Sequence, residues 1–172
     1  DEVFSNPHCR EVAEFLRGNA PWDQLVRLGN VELRPFRSGA TVVLAPGIAF
    51  TAHRVPHRDE YADTHAFGIR TEGAAAMLYL PDLDRWEGWE GDPAALLAAY
   101  PILVVDGTFF SADELGGRDL REIPHPAVRA TMDLLAERRP RAVWFTHLNH
   151  TNPRWDPDSE AAREVARRGF RV

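Results

Sequence analysis

Apolar positions along this chain change period twice. Between Pro7 and Arg17, Val12, Phe15 and Leu16 recur at helical spacing and Gly18-Asn19 closes the run, which predicts a helix. Val31–Phe36 and Thr41–Leu44 alternate or run apolar around Ser38-Gly39 and predict a hairpin. Ile48–Val55, Ala66–Thr71, Ala75–Leu80, Ile102–Val105 and Ala142–Phe145 are apolar runs of strand length. Helical segments then interleave. Pro93–Tyr100 has proline at its start, and Pro126–Arg138 turns Val128, Met132 and Leu135 to one side. A last helix runs through Arg168, with Asp156 as its expected N-cap and Pro157 at its first position. Antiparallel-looking strands followed by strand–helix alternation predict an α/β fold of sheet layers covered by helices. There is no internal repeat, low-complexity tract or linker, so one domain over residues 1–172 is expected.

The polar residues that follow these runs carry the chemistry. His57, Asp82 and His147 each stand just past an apolar strand, where a rigid element holds a side chain at a sheet rim. Two imidazoles and one carboxylate are the ligand set of an open divalent-metal site. Taken singly, His57 also reads as a solvated loop residue and Asp82 as a turn cap. Asp84 is a rival ligand. Asp106, ahead of Gly107, is expected to turn its carboxylate outward at a tight glycine turn. Taken singly, Asp106 also reads as a turn aspartate and His125 as a helix-start histidine with no contact between them. His125 is expected nearer to solvent than the metal ligands. His53 has packing parity. His65, Asn149 and His150 are candidates for orienting a ligand or facing substrate, and Trp86, Trp89 and Phe109-Phe110 for lining a pocket. Asn152-Pro153 constrains the loop after His147.

Composition narrows the partners. With 172 residues, 44% of them apolar, the chain has enough to bury a good core. A net charge of −6 argues against a nucleic-acid backbone as partner. All 20 basic residues are arginine, from which no mechanism follows. The lone Cys9 excludes an internal disulfide and suits a reducing, cytoplasmic setting. It reads as a helix-start residue rather than a nucleophile. No apolar stretch reaches the ~20 residues that span a bilayer.

Several segments together resemble the metallo-β-lactamase superfamily and, within it, the coenzyme PQQ biosynthesis protein B family. They are FLRGNAPWDQLVRLGNVELRP, VPHRDEYADTHAFGIRT, LYLPDLDRWEGW, VVDGTFFSADELGGRD, IPHPAV and FTHLNHTNP, running from about Phe15 to Pro153. The resemblance implies a four-layered αββα sandwich. It implies His57 at the third metal motif, Asp82 as the metal aspartate and His147 at the last metal motif. It pairs Asp106 with His125 near substrate, and such a pair serves general acid–base chemistry. It implies a divalent metal, zinc first and iron as the alternative, and a small-molecule substrate, either in a hydrolysis or in oxidation of a tyrosine-derived intermediate on the way to PQQ. The superfamily's His-x-His-x-Asp-His loop is absent from these residues, and the chain starts at Asp1-Glu2-Val3. The expectation is therefore the C-terminal part of such a fold, with one sheet incomplete. By itself it should hold metal weakly, be inactive, and expose an apolar sheet face that favours homo-oligomers. The alternative expectation is a truncated, non-catalytic domain that binds a ligand or partner.

Overall fold

A computed structural model describes residues 7–58, 63–89, 91–117 and 123–172, without the side chains of 7–11 and 115. The Cys9 side chain and the loop residues Asp59 and Glu60 lie outside the described residues. Helices α1 (Pro7–Gly18) and α2 (Trp22–Arg27) lead into a six-stranded sheet. Its strands are β1 (Thr41–Ala45), β2 (Ile48–Val55), β3 (Thr64–Thr71), β4 (Met77–Leu80), β5 (Ile102–Asp106) and β6 (Ala142–Thr146), in spatial order β1-β2-β3-β4-β5-β6. β1 to β4 pair antiparallel, and β4, β5 and β6 pair parallel. The parallel crossovers carry α3 (Pro93–Ala98) and α4 (Val128–Ala136), and α5 (Glu160–Arg167) follows β6. This is the mixed α/β architecture expected. Of the four layers of an αββα sandwich, the described residues supply one sheet with helices on one side.

Pairing register assigns the two faces. Leu78, Leu103 and Val143 are cross-strand neighbours, as are Leu80, Val105 and Phe145. All six are at most 3% exposed and pack in one core with Leu97 of α3, Val128, Met132 and Leu135 of α4 and Val165 of α5. Each such side chain contributes about 1.5–3 kcal/mol by leaving water. The opposite face presents Phe50, Phe67, Tyr79, Val104 and Trp144, and Tyr79 is 38% exposed.

Two expected elements differ. Val31–Phe36 is not a strand, although Phe36 packs edge-on against Phe50 at 5.5 Å. Pro35 cannot donate to a ladder, which disfavours pairing there. The hairpin is instead β1 with β2, joined through Pro46-Gly47, where Gly47 has φ 74°. The last helix begins at Glu160, capped by Ser159 Oγ accepting from Ala162 N–H at 3.0 Å. Asp156 instead accepts from Asp158 N–H at 2.9 Å, closing a turn ahead of the helix.

Candidate metal centre

β2 and β4 are each antiparallel to β3, so β2, β4, β5 and β6 run the same way and end at one rim. That rim, beyond the carboxyl ends of strands, is where sheets of this kind bind ligands. β2 ends two residues before His57, β4 two before Asp82, β5 on Asp106 itself and β6 one before His147. His125 arrives on the loop before α4, which Val128 N–H ties to Phe109 O at 2.8 Å.

The five side chains meet. His57 Nε2 lies 3.3 Å from Asp82 Oδ2. His125 Nδ1 lies 3.6 Å from Asp82 Oδ1 and 2.7 Å from Asp106 Oδ2. The His125 ring stands 5.6 Å from that of His57 and 5.5 Å from that of His147, centroid to centroid. One donor atom from each of Asp82, Asp106, His125 and His147 lies within 4.8 Å of the others. His57 stands outside that tight group, against Asp82, and His125 stands inside it.

These residues fit a divalent cation. Asp82 Oδ1 and His57 Nδ1 are buried without a hydrogen-bond partner, a state that buried polar atoms seldom show. Two donors held at about 2.1 Å by a tetrahedral ion stand about 3.4 Å apart, and the other atoms of the same two residues, His57 Nε2 and Asp82 Oδ2, stand 3.3 Å apart. Asp106 has a different role. It is 1% exposed and both its oxygens are filled. Oδ1 accepts from Thr108 N–H at 2.8 Å and Thr108 Oγ1–H at 2.7 Å, and Oδ2 from Leu83 N–H at 3.1 Å and His125 Nδ1–H at 2.7 Å. With about four lone-pair sites on a carboxylate, none is left for an ion. Asp106 braces the Asp82 loop, Thr108 and His125 together.

Burial alone lowers the proton affinity of His125, but the Asp106 hydrogen bond and charge, with the charges of Asp82 and Asp84, outweigh it and raise the pKa above the ordinary histidine value. His147 adopts φ 60°, which non-glycine residues rarely do. Asn149 N–H donates to Thr108 O at 3.0 Å and ties this turn, and Thr108 Oγ1 lies 3.2 Å from His147 O.

Other expected residues fall elsewhere. His65 packs its ring against Phe36 at 6.0 Å. His150 is exposed, and its N–H caps Asn149 Oδ1 at 3.0 Å. Asn149 bonds within the same loop, to Thr151 and through its carbonyl to Trp155. Asp84 pairs with Arg85 at 3.2 Å. His53 is a packing residue, with Nε2 3.0 Å from Tyr100 Oη. Phe110 belongs to the core and Trp86 and Trp89 pack against it, whereas the Phe109 ring stands 6.0 Å from that of His125, centroid to centroid.

Two expectations about orientation are corrected. The Asp106 carboxylate points inward, and Gly107 is needed for close approach: a Cβ there would meet Phe145 Cβ at 2.8 Å. His125, 15% exposed, is more sheltered than Asp82 at 31%, because Asp106 draws it in. Sequence reasoning missed Thr108 as a contact to both rings and Asn152 as a buried tie. Asn152 Nδ2 donates to Gly107 O at 2.8 Å, and Oδ1 accepts from Arg154 N–H at 2.9 Å. The available signal for Thr108 was the Asp-Gly-Thr spacing, since aspartate side chains commonly accept from the backbone two residues on.

The chain is similar to coenzyme PQQ synthesis protein B of Methylococcus capsulatus, 25% identical over 154 residues covering 78% of this chain and 50% of that protein. It is 32% identical over 133 residues to the same protein of Pseudomonas putida, covering 72% of this chain and 42% of the relative. The chain thus spans about half the length of these relatives. Among solved structures it resembles Zn2+-bound PqqB from Methylobacterium extorquens, with TM-score 0.75 and 23% identity over 94% of this chain and 57% of that one. It also resembles the metallo-β-lactamase fold protein YhfI from Bacillus subtilis, with TM-score 0.57 and 15% identity over 89% and 58% of the two chains. Residues 7–148 match the family described as beta-lactamase superfamily domain, and the chain belongs to that family.

Proposed function

We propose that this chain carries the catalytic rim of a divalent-metal-dependent hydrolase acting on a small-molecule substrate. His57, Asp82 and His147 would hold the ion, and Asp106–His125 is the acid–base pair. The observation that carries the reading is the contact of His57 with Asp82, each of which keeps one buried donor atom without a hydrogen bond, at the rim where His125 and His147 converge. A cation there would supply Lewis acidity that polarises a substrate oxygen and makes water more acidic. Zinc is favoured by the Zn2+ in the related PqqB structure, with iron as the alternative.

Asp106 fixes His125 by its Nδ1–H and strengthens its hold on a proton. The other ring nitrogen is thereby left to give or take a proton at the substrate. The Phe109 ring, 6.0 Å away, shields that ring on one side. The name shared by the curated relatives supports a step in coenzyme PQQ synthesis as the setting.

The test is metal analysis of the full-length gene product together with a screen of phosphodiesters and lactones under added Zn2+ or Fe2+. Metal-dependent turnover of one substrate class, lost in Asp82→Asn and His147→Ala together with the metal, is expected. Turnover that survives chelation, or metal content untouched by both substitutions, rejects the reading. Two imidazoles and a carboxylate also serve iron in O2 chemistry. Fe2+-dependent oxygen uptake in the same assay would select oxidation over hydrolysis.

A further inference from the structure

We infer that Thr108 is a positioning residue that sets the tautomer of His147 and so decides which ring nitrogen faces a cation. The inference rests on reading His147 as a metal ligand. Thr108 is 7% exposed and its hydroxyl touches four acceptor or donor atoms. Oγ1 lies 2.7 Å from Asp106 Oδ1, 3.1 Å from His147 Nδ1, 3.2 Å from His125 Nδ1 and 3.2 Å from His147 O.

The hydroxyl has one proton to give. The shortest contact is to an ionised carboxylate, and charge-assisted hydrogen bonds are the stronger ones. The proton therefore goes to Asp106 Oδ1. Any other choice would turn a hydroxyl lone pair against a carboxylate oxygen at 2.7 Å. With its proton so committed, Oγ1 can only accept from the imidazoles. His125 Nδ1–H already has Asp106 Oδ2 at 2.7 Å. His147 Nδ1 must then carry the proton that Oγ1 receives. The chain of bonds runs from His147 Nδ1–H to Thr108 Oγ1–H to Asp106 Oδ1, and it leaves His147 Nε2 bare with its lone pair outward. Metal-binding histidines are generally fixed this way through the nitrogen that does not bind. Here a threonine stands between the ring and the carboxylate, so that one buried aspartate serves His125 directly and His147 at one remove.

The experiment reads the tautomer apart from any activity. In metal-free, 15N-labelled protein at alkaline pH, long-range 1H–15N correlations distinguish Nδ1–H from Nε2–H rings. Wild type should show His147 protonated on Nδ1. Thr108→Val keeps the shape but removes the hydroxyl, and should bring in the Nε2–H form. It should also weaken Zn2+ binding about 10–100-fold in a competition titration. Thr108→Ser should retain both wild-type properties. A wild-type His147 protonated on Nε2 overturns the inference, as does a Thr108→Val protein whose His147 tautomer is unchanged. If Thr108→Val does not fold, the wild-type tautomer and the Ser variant decide alone. If the tautomer behaves as described but the full-length wild type takes up no Zn2+, the positioning role stands and the metal reading of the rim fails.

Discussion

Asp106 Oδ2, 2.7 Å from His125 Nδ1, governs how that ring holds a proton. A histidine between two prolines at the start of a helix reads as solvent-facing, yet Asp106 pulls it to 15% exposure and makes it a stronger base. If it moves protons for the reaction, His125→Ala in the full-length enzyme should lower kcat by about 10²–10⁴-fold while metal content stays at the wild-type level. Loss of metal in that variant would make His125 a ligand, and unchanged kcat would return it to packing. The raised pKa has a second consequence in the metal-free protein. The folded value lies above the unfolded value of about 6.5. Its stabilisation is therefore fully present below the unfolded pKa and is lost as pH rises through the folded one. Urea midpoints should fall across that interval, and His125→Gln should flatten the fall. A slope that His125→Gln leaves intact would trace it to other groups. His57, Asp82, Asp106, His125 and His147 were all legible as polar residues at strand ends or loop turns. Thr108 was not, because spacing does not tell which of two rings a hydroxyl will meet.

At the scale of elements, the sequence pattern was faithful where burial is one-sided and failed where a segment packs without pairing. β2 through β6 appear within a residue or two of the apolar runs, since each must bury one face against the helices. Val31–Phe36 has the same alternation, but it serves to lay Phe36 on Phe50 rather than to extend the sheet. Alternation records which side chains are covered, not what covers them. Gly68 in β3 is a similar case, where glycine permits close packing. A Cβ there would overlap the phenol of Tyr100, which is 3% exposed and bonded to His53. Gly68→Ala should therefore destabilise the protein by about 1–3 kcal/mol through overpacking, read as a lower urea midpoint with little change in slope. Tyr100→Leu in the same chain should return part of that loss, because residues in contact are not additive. Independent, additive effects of the two substitutions would mean that the contact does not limit packing.

At the scale of the molecule, the sheet has one finished face and one open one. Runs such as Ile102-Leu103-Val104-Val105 are apolar at every position, the pattern of a strand buried on both sides. In the described residues only Leu103 and Val105 meet helices, while Val104 shares the other face with Phe67, Tyr79 and Trp144. Phe36 covers Phe50, and the Arg171 guanidinium lies 4.7 Å from the Trp144 ring centroid, but Tyr79 remains 38% exposed. Contiguous apolar surface of this kind drives association. Asp1–Val172 expressed alone should therefore self-associate through this face in sedimentation experiments. The net charge of −6 opposes that contact, so association should strengthen as salt screens it. Tyr79→Glu, which puts a charge on the open face of the sheet, should shift the population toward monomer. Metal affinity follows ligand number and preorganisation, and three ligands from three separate loops supply little of either. The same preparation should accordingly bind Zn2+ only weakly and show no turnover. A salt-insensitive monomer that retains one tightly bound Zn2+ per chain would refute both parts, because it would require a finished surface and a finished coordination shell from these residues alone.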